Sequence, residues 1–185
     1  MIYEGAAGPR VVGGSDPVTV DSHFRVMSMT KMVVTTVALQ RVEQGNLDLD
    51  APVEAYCPEF ADLQVLVGFD GDSPKLRPPA SKATVKQLIT HTAGLGYWFW
   101  NADLLRWESV TGTPNVSSGS NVIFTAPLVA DPGTKFEYGI NTDWLGKVVE
   151  AVSGVTLDVA AQRGITVPLG MDQTAFLMSA QPVSY

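Results

Sequence analysis

The sequence predicts an α/β fold in which helices outweigh strands. Three observations carry this. Apolar residues recur at helical spacing from Ser28 to Gln44, and again over "NTDWLGKVVEAVSG", Asn141 to Gly154. The chain start, "MIYEGAAG", reads as the tail of a strand entering a Gly turn. In the first run Met32, Val33, Thr36, Val37, Leu39 and Val42 mark the periodic positions, and Gly45-Asn46 supplies a stop. In the second, Trp144, Leu145, Val148, Val149 and Val152 share a face and Gly154 ends the helix. Residues 12–20 read as loop with short extended pieces. Asp50 in "LDLDAPV" is placed as an N-cap before a short turn. "FADLQVLVGFDGDSPKLRPPASK" reads as loop-rich surface, because Gly, Asp and Pro punctuate it. "ATVKQLITHTAGL" is a short helix capped around Thr84 and stopped at Gly94. Trp107 to Asn121 is polar and irregular, and Thr156 caps a last helix through Gln162.

Composition narrows the function classes. A chain of 185 residues suits one domain or somewhat more. Its 12 basic and 19 acidic residues give a net charge of −7, with no basic run, which argues against nucleic acid or an anionic membrane surface as partner. The single cysteine, Cys57, excludes an internal disulfide and has no His near it in sequence, so it reads as a packed thiol. The N-terminus lacks the basic end and apolar stretch of a signal peptide, and no window is a membrane span; the expected compartment is the cytoplasm. No H-E-x-x-H, paired cysteine, phosphate loop or dinucleotide fingerprint is present, so no metal and no cofactor are expected. G-x-S-x-G is also absent. Of the two histidines, His91 is expected to be a satisfied helix-end residue rather than a base.

One stretch carries chemistry. "FRVMSMTKMVVTT" places Lys31 three residues after Ser28 in an otherwise apolar segment. On a helix the two share a face about one turn apart. Desolvation by Met27, Met32 and Val33 would disfavour the ammonium and lower its pKa, leaving an amine able to take the serine proton. S-x-x-K also occurs by chance, and a surface Ser and Lys on a helix is the competing reading. "PGTKFEYGINTDWLG" offers Tyr138 as a proton relay, against a tyrosine that merely packs on the helix it precedes. Tyr97, Trp98, Phe99 and Trp100, with Trp107, either line an apolar pocket or pack a core.

Taken together and in order, "FRVMSMTKMVVTTVALQRVEQGNLDLDAPV", "LITHTAGL", "PGTKFEYGINTDWLG" and "VPLGM" resemble the serine β-lactamase-like family VIII carboxylesterases, relatives of class C β-lactamases and DD-peptidases. The resemblance spans about Ile2 to Phe176. The S-x-x-K signature is that superfamily's known nucleophile motif. It implies Ser28 as acylated nucleophile, Lys31 as proton acceptor and Tyr138 as the second-motif tyrosine. It leaves Asn141, Trp98 and Trp100 as substrate contacts. β-Lactamases usually carry Tyr-x-Asn; here Ile140 takes that place and Asn141 follows, which points to esters rather than cephalosporins. Family members run well beyond this length, with a third motif on a late strand that also supplies an oxyanion donor. The resemblance therefore implies one β-lactamase-like serine hydrolase domain over residues 1–185, incomplete at both ends. It would hold the helical subdomain and part of an antiparallel sheet. Losing one oxyanion donor costs on the order of 10² to 10³ in rate. The expected partners are a small-molecule ester and either a second copy of the chain or a complementing C-terminal fragment. Lactam or peptide hydrolysis, or an idle binding piece, are the rival functions.

Overall fold

The computed structural model describes residues 3–176 and divides into two compact units, Met1–Thr30 and Lys31–Tyr185. In the first, the chain doubles back between Gly8 and Val18. Arg10 N–H donates to the Asp16 carbonyl and Val18 N–H to the Gly8 carbonyl, both at 2.8 Å. Pro9 and Pro17 face each other as a single antiparallel bridge. Neither proline has an N–H to donate, so the pairing extends no further. The strand tail expected at the chain start is not found over Tyr3–Ala7; Met1 and Ile2 lie outside the described residues. The unit ends in a 3₁₀ turn, Met27–Met29, which runs directly into helix α1, Thr30–Glu43.

Helix α1 forms where the sequence places it, but with a different buried face. Val34, Val37 and Ala38 enter the core, whereas Met32 and Leu39, two of the expected periodic positions, are exposed. Polar residues, among them Lys31, Thr35, Thr36, Gln40 and Arg41, are spread around the helix between the apolar ones, so periodicity locates it without choosing the side that packs.

A hairpin follows in the stretch expected to be loop. Strands β1, Val65–Asp70, and β2, Ser73–Arg77, pair antiparallel with an irregularity between Leu66 and Gly68. Asp, Gly and Pro there are turn and edge residues of a strand pair, which is why they read as loop. β1 is held on its other side by Leu128: Leu66 N–H reaches the Leu128 carbonyl at 2.8 Å, and Leu128 N–H the Gln64 carbonyl at 2.9 Å. Arg77 binds Asp131 through two bonds of 2.8 and 2.6 Å, joining β2 to the turn that leads toward Tyr138.

Helix α2, Val85–Ile89, has the expected Thr84 cap as a full capping box with Gln87. It stops at Thr90, earlier than Gly94. The Asp50 cap is not formed: the nearby 3₁₀ turn Val53–Ala55 begins at Pro52 without a side-chain cap. Asp48 instead accepts the Asp50 N–H at 2.9 Å. Helix α3, Ala102–Thr111, is capped by Asn101 and includes Trp107, correcting the reading of that region as irregular from its start. Helix α4, Asn141–Ser153, matches its pattern and ends at Gly154. Helix α5, Leu157–Ala161, starts after Thr156, whose side chain makes no cap bond, and continues as a wider turn over Gln162–Thr166.

The core is built on α4. Trp144 is fully buried, edge-on to Phe60 at 4.8 Å and Phe124 at 5.0 Å. Val148 and Val149 are also wholly buried, as are Leu88 of α2 and Ala160 of α5. Cys57 is buried, and burial pushes its thiol up to about 11, so it is a neutral packed group.

Candidate active site

Two loops meet in front of α4. The first, His91–Tyr97, leaves α2 through a Schellman turn: Thr92 N–H reaches the Gln87 carbonyl at 2.8 Å and His91 N–H the Leu88 carbonyl at 3.3 Å. The second, Pro132–Ile140, feeds the start of α4. Glu137 N–H donates to the His91 carbonyl and Gly133 N–H to the Thr92 carbonyl, both at 2.7 Å. Gly139 lies so close to Leu95 and Gly96 that a Cβ there would collide with their backbone. Asn141 completes the clamp, its Nδ2 donating to the carbonyls of Leu95 at 2.9 Å and Glu137 at 3.1 Å. It is wholly buried, and its amide nitrogen is committed to backbone on both sides.

This clamp presents Tyr97 and Tyr138, edge to face with ring centres 5.6 Å apart, to Lys31 on the first turn of α1. The Lys31 nitrogen sits 5.5 Å from the Tyr97 ring centre and 5.0 Å from that of Tyr138. Burial pulls the Lys31 pKa down, but hydrogen bonds and charge interactions with the two tyrosines outweigh it, and the net shift is upward. This corrects the expectation of a lowered lysine. Of the three neighbours expected to desolvate it, Met27 and Met32 are exposed and Val33 is half-buried against the core, and the hydroxyls of Tyr97 and Tyr138 act on Lys31 instead.

Three further groups belong to the neighbourhood. Burial raises the Tyr97 pKa, and the nearby Asp143 carboxylate adds to this while Lys31 opposes it. Asp143, in the first turn of α4, has its own pKa raised by burial against the opposing pull of Lys31. His91 stacks on Tyr138 with ring centres 4.7 Å apart, and burial followed by the Lys31 charge lowers its pKa. His91 is not the satisfied residue expected, because its buried Nδ1 has no hydrogen-bond partner.

Among the residues anticipated from sequence, Lys31 and Tyr138 therefore come together. Ser28 is exposed in the turn that leads into α1. Trp98 and Trp100 part company. Trp98 turns inward, with its Nε1 buried and unbonded, onto a cavity of about 10 Å³ lined by Leu104, Trp107 and Glu108. That is room for one water and not for an acyl group. Trp100 is 72% exposed at the surface. Asp143 was not singled out from sequence, Tyr97 was named only with its aromatic run, and His91 was weighed as a base and read as a satisfied helix-end residue. Tyr97 stood within an aromatic run, and Asp143 looks like an ordinary acid at a helix N-terminus. Among the described residues no cluster of His, Cys, Asp or Glu could hold a metal, and no helix is long and apolar enough to cross a membrane.

The fold is of the β-lactamase/DD-peptidase-like class. It matches unliganded simvastatin synthase from Aspergillus terreus with a TM-score of 0.77 and 35% identity, over 89% of this chain and 42% of that one. It also matches the penicillin binding protein from Bacillus halodurans with a TM-score of 0.65 at 22% identity, a likeness of fold alone. The chain belongs to the Beta-lactamase family, whose pattern matches residues 1–182. Lovastatin esterase of Penicillium rubens is 38% identical over 95% of the chain, and esterase EstB of Burkholderia gladioli 33% over 98%. The chain spans 45% of each of these two relatives.

Proposed function

We propose that the chain carries the acylating group set of a serine ester hydrolase for small carboxylic esters with short acyl chains. The observation that supports it most is the Lys31 ammonium held by two tyrosines immediately after the Ser28 turn. In this reading Lys31 and Tyr138 act as one proton-sharing pair. At neutral pH Lys31 is held as the ammonium, because its pKa is raised. Loss of one proton to solvent makes it competent. Ser28 Oγ then bonds to the ester carbonyl carbon, and its proton passes to the pair. The tetrahedral adduct collapses, the bond to the alcohol oxygen breaks, and the pair returns the proton to that oxygen. Water repeats the sequence on the acyl-serine and releases the acid. Asn141 enters as the clamp that sets the tyrosine loop rather than as a substrate contact.

Relatives named lovastatin esterase and EstB support the ester reading. Others named methylbutanoyltransferases support a second discharge route, in which an alcohol replaces water. The oxyanion hole needs more than one N–H donor. In this reading one comes from beyond the described residues, from a complementing segment or a second copy of the chain.

The test is intact-protein mass after exposure to a fluorophosphonate, with Ser28→Ala alongside. One adduct, absent in the variant and forming faster as pH rises above 7, is the expected result. An adduct that persists in Ser28→Ala refutes the nucleophile. Nitrocefin turnover faster than that of p-nitrophenyl butyrate refutes the preference for esters.

A further inference from the structure

We propose that His91 is the positioning residue for Tyr138: its imidazole, stacked on the phenol ring, sets the angle at which the hydroxyl meets Lys31. The proposal rests on the role given to Tyr138 above.

The first argument is backbone conformation. His91 occupies the position after a helix C-cap that turns left-handed, with φ +55°. Glycine fills that position at least strain, and a side chain there is uncommon. The Schellman bonds that close the turn are made by the backbone alone and would survive a glycine. The strain therefore carries a side chain that the turn itself does not need. Among the described residues the other non-glycine with positive φ is Met27, beside Ser28. Strained positions gather where a site requires a geometry the chain would not otherwise adopt.

The second argument is where the ring goes. It lies 4.7 Å from Tyr138 at 38° and 5.9 Å from Phe136, forming one wall of the tyrosine's pocket. Its Nδ1 is buried without a partner, so hydrogen bonding does not explain its placement. The backbone carbonyl of the same residue receives the Glu137 N–H at 2.7 Å. Main chain and ring of His91 thus grip Tyr138 and its predecessor together.

The third argument is charge. The groups facing His91 are Lys31 from α1, and Tyr138 and Glu137 from the facing loop, the Glu137 carboxylate already paired with Lys135 at 2.8 Å. A protonated imidazole would put a second cation beside the Lys31 ammonium, whose carboxylate neighbour is Asp143 of α4. The ring works as a neutral wall, and acidification through its lowered pKa removes it.

The variants His91→Gly and His91→Asn keep the left-handed turn and delete the ring. Both are expected to fold, His91→Gly melting at or above the parent temperature. Both are expected to label Ser28 with the fluorophosphonate on the order of tenfold to a hundredfold more slowly at pH 8, the scale of a small misplacement. They should also lose the further fall in labelling that the parent shows as His91 protonates, at a pH under the ordinary histidine value of about 6.5. Parent-like rates with the parent's pH profile would overturn the proposal.

A second measurement needs no activity. In the NMR spectrum His91 should titrate below the ordinary histidine value, move upward in Lys31→Gln, and shift the Tyr138 ring signals as it titrates. An ordinary midpoint with silent Tyr138 signals would overturn the proposal even if the parent never labels. If Tyr138→Phe labels like the parent while the NMR coupling is present, the role given to Tyr138 fails and the His91 contact stands.

Discussion

Two aromatic neighbourhoods in this chain use similar residues for opposite ends. Around a fully buried Trp144, the rings of buried Phe60 and half-buried Phe124 meet the indole edge-on at 4.8 and 5.0 Å. Around Lys31, the rings of Tyr97 and Tyr138 meet edge to face at 5.6 Å, but turn their hydroxyls to a half-buried cation. The first cluster supplies cohesion, and the cation at its edge, Lys147, lies 4.8 Å from the Phe124 ring centre and 5.2 Å from that of Trp144 while paired with Glu59. The second adds one oxygen per ring, which changes what a charge can do there. The core and the candidate site differ here by the hydroxyl groups that one places beside its cation and the other does not.

The largest expected effect breaks the second cluster. Lys31→Met retains volume and helix propensity but removes the amine proposed to carry the proton. Ser28 labelling should fall by about 10² to 10⁴, the range for losing a general acid–base group. The melting temperature should hold or rise, since a half-buried charge has gone. A fall of less than threefold would move the proton-accepting role elsewhere.

Breaking the first cluster should do the reverse. Trp144→Ala removes a fully buried ring and should cost about 3–5 kcal/mol of stability, measured by urea unfolding. In protein that stays folded, the pH dependence of labelling should be unaltered, because the Trp144 ring packs on Phe60 and Phe124 and meets the Lys31 set only through the backbone of Asp143 before it. A changed pH profile would mean that the two neighbourhoods are coupled through α4.

Tyr97→Phe sharpens the comparison by converting one ring of the reactive cluster into the core type. It deletes a hydrogen bond that raises the Lys31 pKa. The sign follows directly: the lysine pKa falls, and a larger fraction of the pair is deprotonated at any pH near 8. The labelling profile should move to lower pH, with little loss of stability. An unmoved profile would return Tyr97 to a packing role.

The sequence made the polar frame of the site legible and left its aromatic half obscure. S-x-x-K and the tyrosine after Pro-Gly stood out because a lysine in an apolar run and a phenol ahead of a helix are each out of place. Helices α1 and α4 were legible from periodicity, and the Thr84 cap from its neighbours. The hairpin over Val65–Arg77 was not, because its strands are short and broken by Gly68 and Pro74. The buried face of α1 was not, since its polar and apolar residues are mixed around the helix and show no preferred side. The direction of the Lys31 shift was misjudged because local neighbours were taken to surround it. Its real surroundings, Tyr97 and Tyr138, lie far along the chain and come together only through the Asn141 clamp. Tyr97 and His91 could be told from their neighbours only after that clamp had placed them.

The smallest effect concerns the anchor of that clamp. Asp131 accepts both Arg77 bonds and the Ala80 N–H at 2.8 Å, and these hold its carboxyl down to about 2. Its folded pKa lies below the unfolded value of 3.8. The contribution is therefore complete above pH 3.8 and is lost as pH falls through about 2. Asp131→Asn should lower the melting temperature slightly at pH 7 and flatten its decline between those two pH values. Both groups reach solvent, so salt should weaken the effect. Labelling at pH 8 decides what the pair means for chemistry. An unchanged rate makes the ion pair a fastener of β2 alone, whereas a slower rate with the same pH profile makes it part of what aims the tyrosine loop at Lys31.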